Sequence, residues 1–293
     1  MNTVKERANA KINLYLDVIA KSDNGFHDVK TIMHSLDLYD TVTVSLTYAS
    51  ETEVKLYLKG NRHLPIDENN IAYKAARLFL ERANLSARVN ITLEKRIPIA
   101  AGLAGGSSDA AAVLRAMNKI CNHKFSAKML YKIAAELGSD VPYCLYGKSA
   151  LCEGRGEILT KLSDKLRLFA VIAISSERMS TPIAYAELDR KFSNFDGRLA
   201  SGGDAFYEKI IKSFEDGALR YDGLYNIFEE AIFPLCKGAE ALKRKMIELG
   251  ARAALMSGSG PSVFALFDDM EKANAACRRL RDEKILAYAA KSV

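Results

Sequence analysis

Pro98-Ile-Ala-Ala-Gly102-Leu103-Ala104-Gly105-Gly106-Ser107-Ser108-Asp109 runs straight into Ala110, Val113, Leu114 and Met117, apolar residues at helical spacing. Glycines and small hydroxyls strip bulk from the loop, so successive backbone N–H groups can point at one anion. The helix behind adds the partial positive charge of its N-terminus. Ser107 and Ser108 can hydrogen-bond a phosphate oxygen or ligate Mg²⁺. The layout suits a triphosphate. It is not a Walker A loop, because no lysine follows Gly106. Gly147-Lys148-Ser149 has the end of that motif, but Pro142 stands at its first glycine. No GxGxxG fits either. A flexible turn with a serine cap is the competing reading.

Outward from this loop the periodicity changes. Ile12, Leu14, Leu16 and Val18 alternate with Lys11, Asn13, Tyr15 and Asp17, which predicts a strand with one buried face and Lys11 and Asn13 together on the other. Alternation returns at Val42–Leu46, Val54–Leu58 and Val89–Leu93, with a helical pattern at Ile71, Ala75, Leu78 and Phe79 between the last two. Ser22-Asp23-Asn24-Gly25 reads as a turn. Ser126 predicts an N-cap and Gly138 a helix end, followed by a non-helical Ser139-Asp140-Val141-Pro142. Leu168–Ile174 reads as a buried strand. Helices follow to about Leu249, then strand–loop–strand around Gly258-Ser259-Gly260-Pro261, a helix near Glu271–Arg281 and a last strand near Leu286–Ala290. Strands and helices without strict alternation predict an α+β architecture, with a boundary near Leu159–Asp164.

The 293 residues allow one or two domains, and the net charge of +6 is spread too evenly to mark a nucleic-acid surface. Five cysteines, odd in number and without CxxC spacing, fit a reducing compartment. The N-terminus does not read as a signal peptide, and no apolar run approaches the ~20 residues that span a bilayer.

Transfer of a phosphoryl group needs alignment, charge neutralisation and a proton acceptor. Asp140 is a candidate base, with backbone capping as the alternative. Lys11 is a candidate cation that would orient a carboxylate and neutralise phosphate, or simply an exposed strand lysine. The Gly258–Gly260 loop is either a tight hairpin or a close backbone approach to a ligand. Phe26-His27 pairs a ring with an imidazole, which can hold a flat base or simply pack together. His34, His63 and His123 show no metal spacing.

Three motifs in order, Lys11-Ile-Asn13-Leu, Pro98-x3-Gly102-Leu-Ala-Gly-Gly-Ser-Ser108-Asp109 and Ser257-Gly-Ser-Gly260-Pro-Ser-Val, resemble the GHMP kinase superfamily. Asp23-Asn-Gly25-Phe-His27, Leu137-Gly-Ser-Asp140-Val-Pro142 and Ser180-Thr181-Pro-Ile-Ala-Tyr185 resemble its branch acting on a cytidine diphosphate-linked methylerythritol. The resemblance covers nearly the whole chain. It implies a two-domain α+β fold, ribosomal-S5-like over residues 1–160 and ferredoxin-like over residues 161–293. It implies ATP with Mg²⁺, and phosphorylation of the substrate's 2-hydroxyl. Carried over, Asp140 is the base and Lys11 its partner. Pro98 and Gly102 to Ser108 form the ATP loop. Asn13, Thr181, Gly258, Ser259 and Gly260 line the substrate. His27 bonds cytosine, and Phe26 and Tyr185 sandwich it. The implied protein is cytoplasmic, a monomer or weak homodimer, with a small-molecule substrate and neither nucleic acid nor membrane as partner. Phe26 stands where the family usually has tyrosine. Ala104 stands where many members have glycine, and alanine's dislike of positive φ predicts ordinary backbone there.

Overall fold

The computed structural model describes residues 2–22, 25–60, 64–192 and 203–293. Asp23 and Asn24 of the expected turn, and His63, lie outside the described residues. In chain order the elements are β1 (Asn2–Lys21), β2 (His27–Tyr48), β3 (Glu53–Lys59), α1 (Ile71–Ala83), β4 (Ala87–Glu94), α2 (Gly105–Ile120), α3 (Ala127–Leu137) and α4 (Val141–Tyr146). There follow β5 (Ser149–Glu153), β6 (Ile158–Lys161), β7 (Phe169–Ala173), α5 (Thr181–Lys191), α6 (Gly203–Asp216), β8 (Tyr225–Asn226), α7 (Phe228–Ile232), α8 (Lys237–Glu248), β9 (Ala253–Met256), β10 (Val263–Phe267), α9 (Met270–Asp282) and β11 (Ala287–Lys291).

Contacts divide the chain into two compact units that interleave in sequence. The first holds Met1–Ala10, Tyr39–Pro98 and Ala104–Gly147. In it β2 pairs antiparallel with β4, Val44 opposite Ile91, and β4 pairs parallel with β3, Val54 opposite Val89. The alternating residues Val42, Val44, Val89 and Ile91 are buried, as period two requires. Ser126 caps α3 by accepting from the Met129 amide at 3.4 Å. The segment after Gly138 departs from expectation. Val141 and Pro142 open the short helix α4, with Asp140 at its N-cap position. Proline fits there because the first helical N–H has no intrahelical acceptor to lose.

The second unit holds Lys11–Leu38, Ile99–Leu103 and Lys148–Val293. Its four-stranded antiparallel sheet runs β11-β7-β10-β9. Numbered by chain order within that sheet, this is 4-1-3-2, with helices between its first and second strands and between its third and fourth. That is the ferredoxin-like pattern. The other strands of this unit pair as β1 with β8, β2 with β5 and β5 with β6. The burial of β1 also departs from expectation. Residues from Ala10 to Val18 are buried on both faces, including Lys11 and Asn13. Within this unit the Leu103 carbonyl accepts the Lys11 amide at 3.1 Å, and Gly258 packs close by, so the polar face is covered rather than solvated.

His34, buried on β2, bonds Ser149 through Nδ1 and Ser292 through Nε2, both at 2.8 Å. Burial pushes its pKa down to about 4. The folded protein therefore binds a proton less readily than the unfolded chain between the ordinary value of 6.5 and about 4. Stability falls as pH drops through that window, by about 3 kcal/mol for this group. Denaturant midpoints measured across the window test this, and His34→Gln flattens the profile.

Candidate active site

The first unit supplies an anion cradle. Helical hydrogen bonding in α2 begins with the Ser108 amide, which donates to the Ala104 carbonyl at 2.9 Å. The amides of Gly105, Gly106 and Ser107 therefore have no helical acceptor. No side chain among the described residues caps this end, and its first turn carries no acidic residue. Ala104 itself corrects an expectation, since its φ is +55°. Alanine there carries the strain that ordinary backbone would avoid, at the residue in the N-cap position of α2. The Ser108 hydroxyl donates to the Asn9 carbonyl at 2.7 Å, so its lone pairs face elsewhere. Pro98 is buried at the foot of the loop.

Behind the cradle lies a group that sequence reasoning missed. Lys95, buried, bridges both Asp40 and Asp109. Asp40 also accepts the backbone amides of Arg96 and Ile97. A Cβ on Gly105 would stand 3.5 Å from the Lys95 ammonium, so this cation sits directly behind the glycine. Burial pushes the Asp109 carboxyl up to about 7. The Lys95 ammonium opposes the rise and the Asp40 carboxylate adds to it. The Oδ1 atom of Asp109 is buried with no hydrogen-bond partner among the described residues. Lysine at the end of a strand and aspartate inside a helix are common, so nothing local announced the triad.

Asp140 sits at the N-cap position of α4 but makes no capping hydrogen bond.

The second unit gathers most of the remaining residues. Lys11 donates to Asn13 Oδ1 at 2.7 Å, and Asn13 donates to Thr31 Oγ1 at 2.8 Å. The shared strand face places them together, as the spacing predicted. The Gly258 loop is more than a hairpin. A Cβ on Gly258 would stand 3.2 Å from the Gly102 carbonyl oxygen and 3.7 Å from the Lys11 ammonium. Asn226 holds the loop by donating to the carbonyls of Met256 and Gly258, at 2.9 and 2.8 Å. Ser257 donates to the Gly102 carbonyl at 3.2 Å. Thr181 and Ser259 join through their hydroxyls at 3.0 Å.

Gly102 has φ +68°, and a Cβ there would overlap the Ser257 carbonyl oxygen. Gly102→Ala is expected to lower stability by on the order of 3 kcal/mol, from left-handed strain and the overlap together. A denaturant titration measures it.

Around His27 the same unit builds a flat-faced pocket wall. The Tyr185 ring lies 4.6 Å from the imidazole, tilted by 30°, and meets Phe228 edge-on at 4.9 Å. His27 Nε2 is 2.7 Å from Asp189, which Lys21 also engages. Phe26 is exposed, and the Arg155 guanidinium lies 5.0 Å above its ring. The expected sandwich thus has a cation over one of its two rings. Asp189, Asn226 and Arg155 carried no sequence signal that singled them out.

Comparison with known proteins names what this geometry belongs to. The family described as the GHMP kinases N terminal domain matches residues 70–148, and the GHMP kinases C terminal family matches residues 204–285. The chain is 39% identical to the 4-diphosphocytidyl-2-C-methyl-D-erythritol kinase of Lachnospira eligens, over 97% of this chain and 95% of that one. It is 40% identical to the kinase of that name from Macrococcus caseolyticus, over 95% of each. A crystal structure of 4-(cytidine 5'-diphospho)-2C-methyl-D-erythritol kinase superposes with a TM-score of 0.80 at 33% identity, over 98% of both chains. Homoserine kinase from Cytophaga hutchinsonii, 22% identical with a TM-score of 0.71 over 100% of this chain and 95% of its own, shares the fold. This chain belongs to the GHMP kinases and, among them, to the family of the 4-diphosphocytidyl-2-C-methyl-D-erythritol kinases.

Proposed function

We propose that this kinase transfers the γ-phosphoryl group of ATP to the 2-hydroxyl of 4-diphosphocytidyl-2-C-methyl-D-erythritol, a step toward isoprenoid precursors. The observation that carries the phosphoryl-transfer reading is the uncapped first turn of α2, whose first three amides have no acceptor among the described residues. They hold the phosphates, with Pro98 and Gly102 to Ala104 shaping the approach. Asp140 accepts the hydroxyl proton. Lys11 neutralises charge on the transferring group, and Asn13 orients the lysine. Gly258, Ser259, Gly260 and Thr181 line the substrate. His27 bonds the base, and Phe26 and Tyr185 flank it. Stacking on these rings is worth ~1–3 kcal/mol. Remote from the reacting hydroxyl within the substrate itself, the base anchors the substrate and directs the hydroxyl to the phosphate.

Magnesium, when bound with ATP, supplies charge neutralisation on the phosphates. The residues present fit it: Ser107 is half-buried in the cradle, and the Ser108 hydroxyl, with its proton spent on Asn9, presents only lone pairs. No helix among the described residues is long and apolar enough to cross a membrane. A cytoplasmic location is supported by the five buried, unbridged cysteines. We further place the boundary between the two family-matched stretches near residue 160, although the contact units interleave and Lys11–Leu38 belongs with the second. A monomer or weak homodimer that needs no nucleic acid completes the reading.

The test is a substrate panel. Purified protein with ATP and Mg²⁺ is offered the cytidine compound, mevalonate or homoserine, and new phosphate monoesters are followed by phosphorus NMR. Turnover of the cytidine compound alone is expected. Phosphorylation of mevalonate or homoserine in its place would overturn the assignment.

A further inference from the structure

We propose that Asp189 is a positioning residue that fixes one tautomer of His27 and thereby sets which pyrimidine the site accepts; this rests on the base-binding reading of His27 given above. Helix α5 carries Tyr185 and Asp189 four residues apart, on one helical face. Both reach the same imidazole. Tyr185 lies against its face at 4.6 Å, and Asp189 Oδ1 meets Nε2 at 2.7 Å. Lys21 takes the other carboxylate oxygen, Oδ2, so the orientation of Asp189 is held from two sides.

An ionised carboxylate only accepts hydrogen bonds, so the proton of this contact belongs to Nε2. Burial pushes the Asp189 carboxyl up, but the hydrogen bonds from Lys21 and His27 outweigh it and keep the group below its ordinary range. In the neutral ring Nδ1 is then the acceptor. Cytosine carries an exocyclic amine where uracil carries a carbonyl oxygen. A fixed acceptor takes a hydrogen bond from the amine and faces the carbonyl lone pair to lone pair. A site that meets a substrate N–H in this way rejects the analogue lacking it far more strongly than a shape-matched apolar pocket does. A half-turn of the ring would keep its face on Tyr185 but lose the Nε2 contact, so Asp189 is what holds the ring's orientation.

The experiment compares the full-length protein with its Asp189→Asn variant, whose side chain keeps the size but can donate as well as accept. Steady-state kinetics use the cytidine substrate and its uridine-linked analogue, and nitrogen NMR of His27 reports the tautomer without substrate. In the wild type the Nε2-protonated form and a strong preference for the cytidine compound are expected. In the variant both tautomers appear, KM for the cytidine compound rises more than kcat falls, and the cytidine-over-uridine ratio of kcat/KM drops by about tenfold or more. An unchanged ratio with a wild-type His27 spectrum overturns the proposal. An equal loss on both substrates, with a lowered unfolding midpoint, also overturns it, by reducing Asp189 to a structural contact. If the wild type leaves the cytidine compound unphosphorylated, the base-binding reading fails separately. A wild-type spectrum lacking the Nε2-protonated form contradicts the tautomer lock whatever the substrate.

Discussion

Asp140→Asn lowers kcat by roughly two to four orders of magnitude and leaves ATP affinity close to that of the wild type. The asparagine keeps the shape of the side chain and removes only its ability to take a proton. Asp140 makes no capping bond to α4, so the exchange does not strip that helix of its start. The amides proposed to hold the phosphates belong to another helix, α2, and do not change. Loss therefore appears in the chemical step rather than in nucleotide binding. Rapid-quench kinetics for turnover and calorimetry for ATP binding separate the two. A folded variant with near-normal kcat removes Asp140 from the role of base.

Lys95→Met is expected to cost about 3–5 kcal/mol of stability, the largest effect of any single change outside the chemistry. The lysine is buried between two buried carboxylates, and methionine fills its volume without its charge. Asp40 and Asp109 would then face each other with no cation between them. Burial and mutual repulsion already raise Asp109. Without Lys95 the folded-state value of Asp109 rises further above that of the unfolded chain. For carboxyls raised on folding, the stabilising protonation is complete at low pH and disappears as pH climbs through the folded-state value. The variant is thus weakest at neutral pH and recovers part of its deficit in mild acid. Urea midpoints at the two pH values show this directly. Adding Asp109→Asn to Lys95→Met removes one of the stranded charges and restores part of the stability. A Lys95→Met protein as stable as the wild type at neutral pH would mean that the triad is not holding charge in the interior. Because Lys95 lies behind Gly105, the same variant should also bind ATP less tightly.

Much of the fold was readable residue by residue. Alternation at Val42–Leu46 and Val89–Leu93 gave two strands that pair with each other, because a strand's side-chain period follows from its backbone alone. Ser126 marked the start of α3 for a similarly local reason, since a short hydroxyl reaches back only to the next few amides. The glycine-serine run marked the start of α2, and Lys11 with Asn13 declared a common strand face. What sequence could not decide was whatever depends on residues far apart in the chain. Asp40, Lys95 and Asp109 meet only after β2, β4 and α2 are packed. His27 finds Asp189 across 162 positions. The two-sided burial of β1 depends on the Gly102 and Gly258 loops arriving over Lys11. Even the backbone of Ala104 is left-handed in the fold, against alanine's own preference. Periodicity, caps and turns are written in adjacent residues and are settled by steric and hydrogen-bonding rules of short range. Burial, charge pairing and tautomer come from neighbours that only the folded chain supplies, and no short window of sequence contains them.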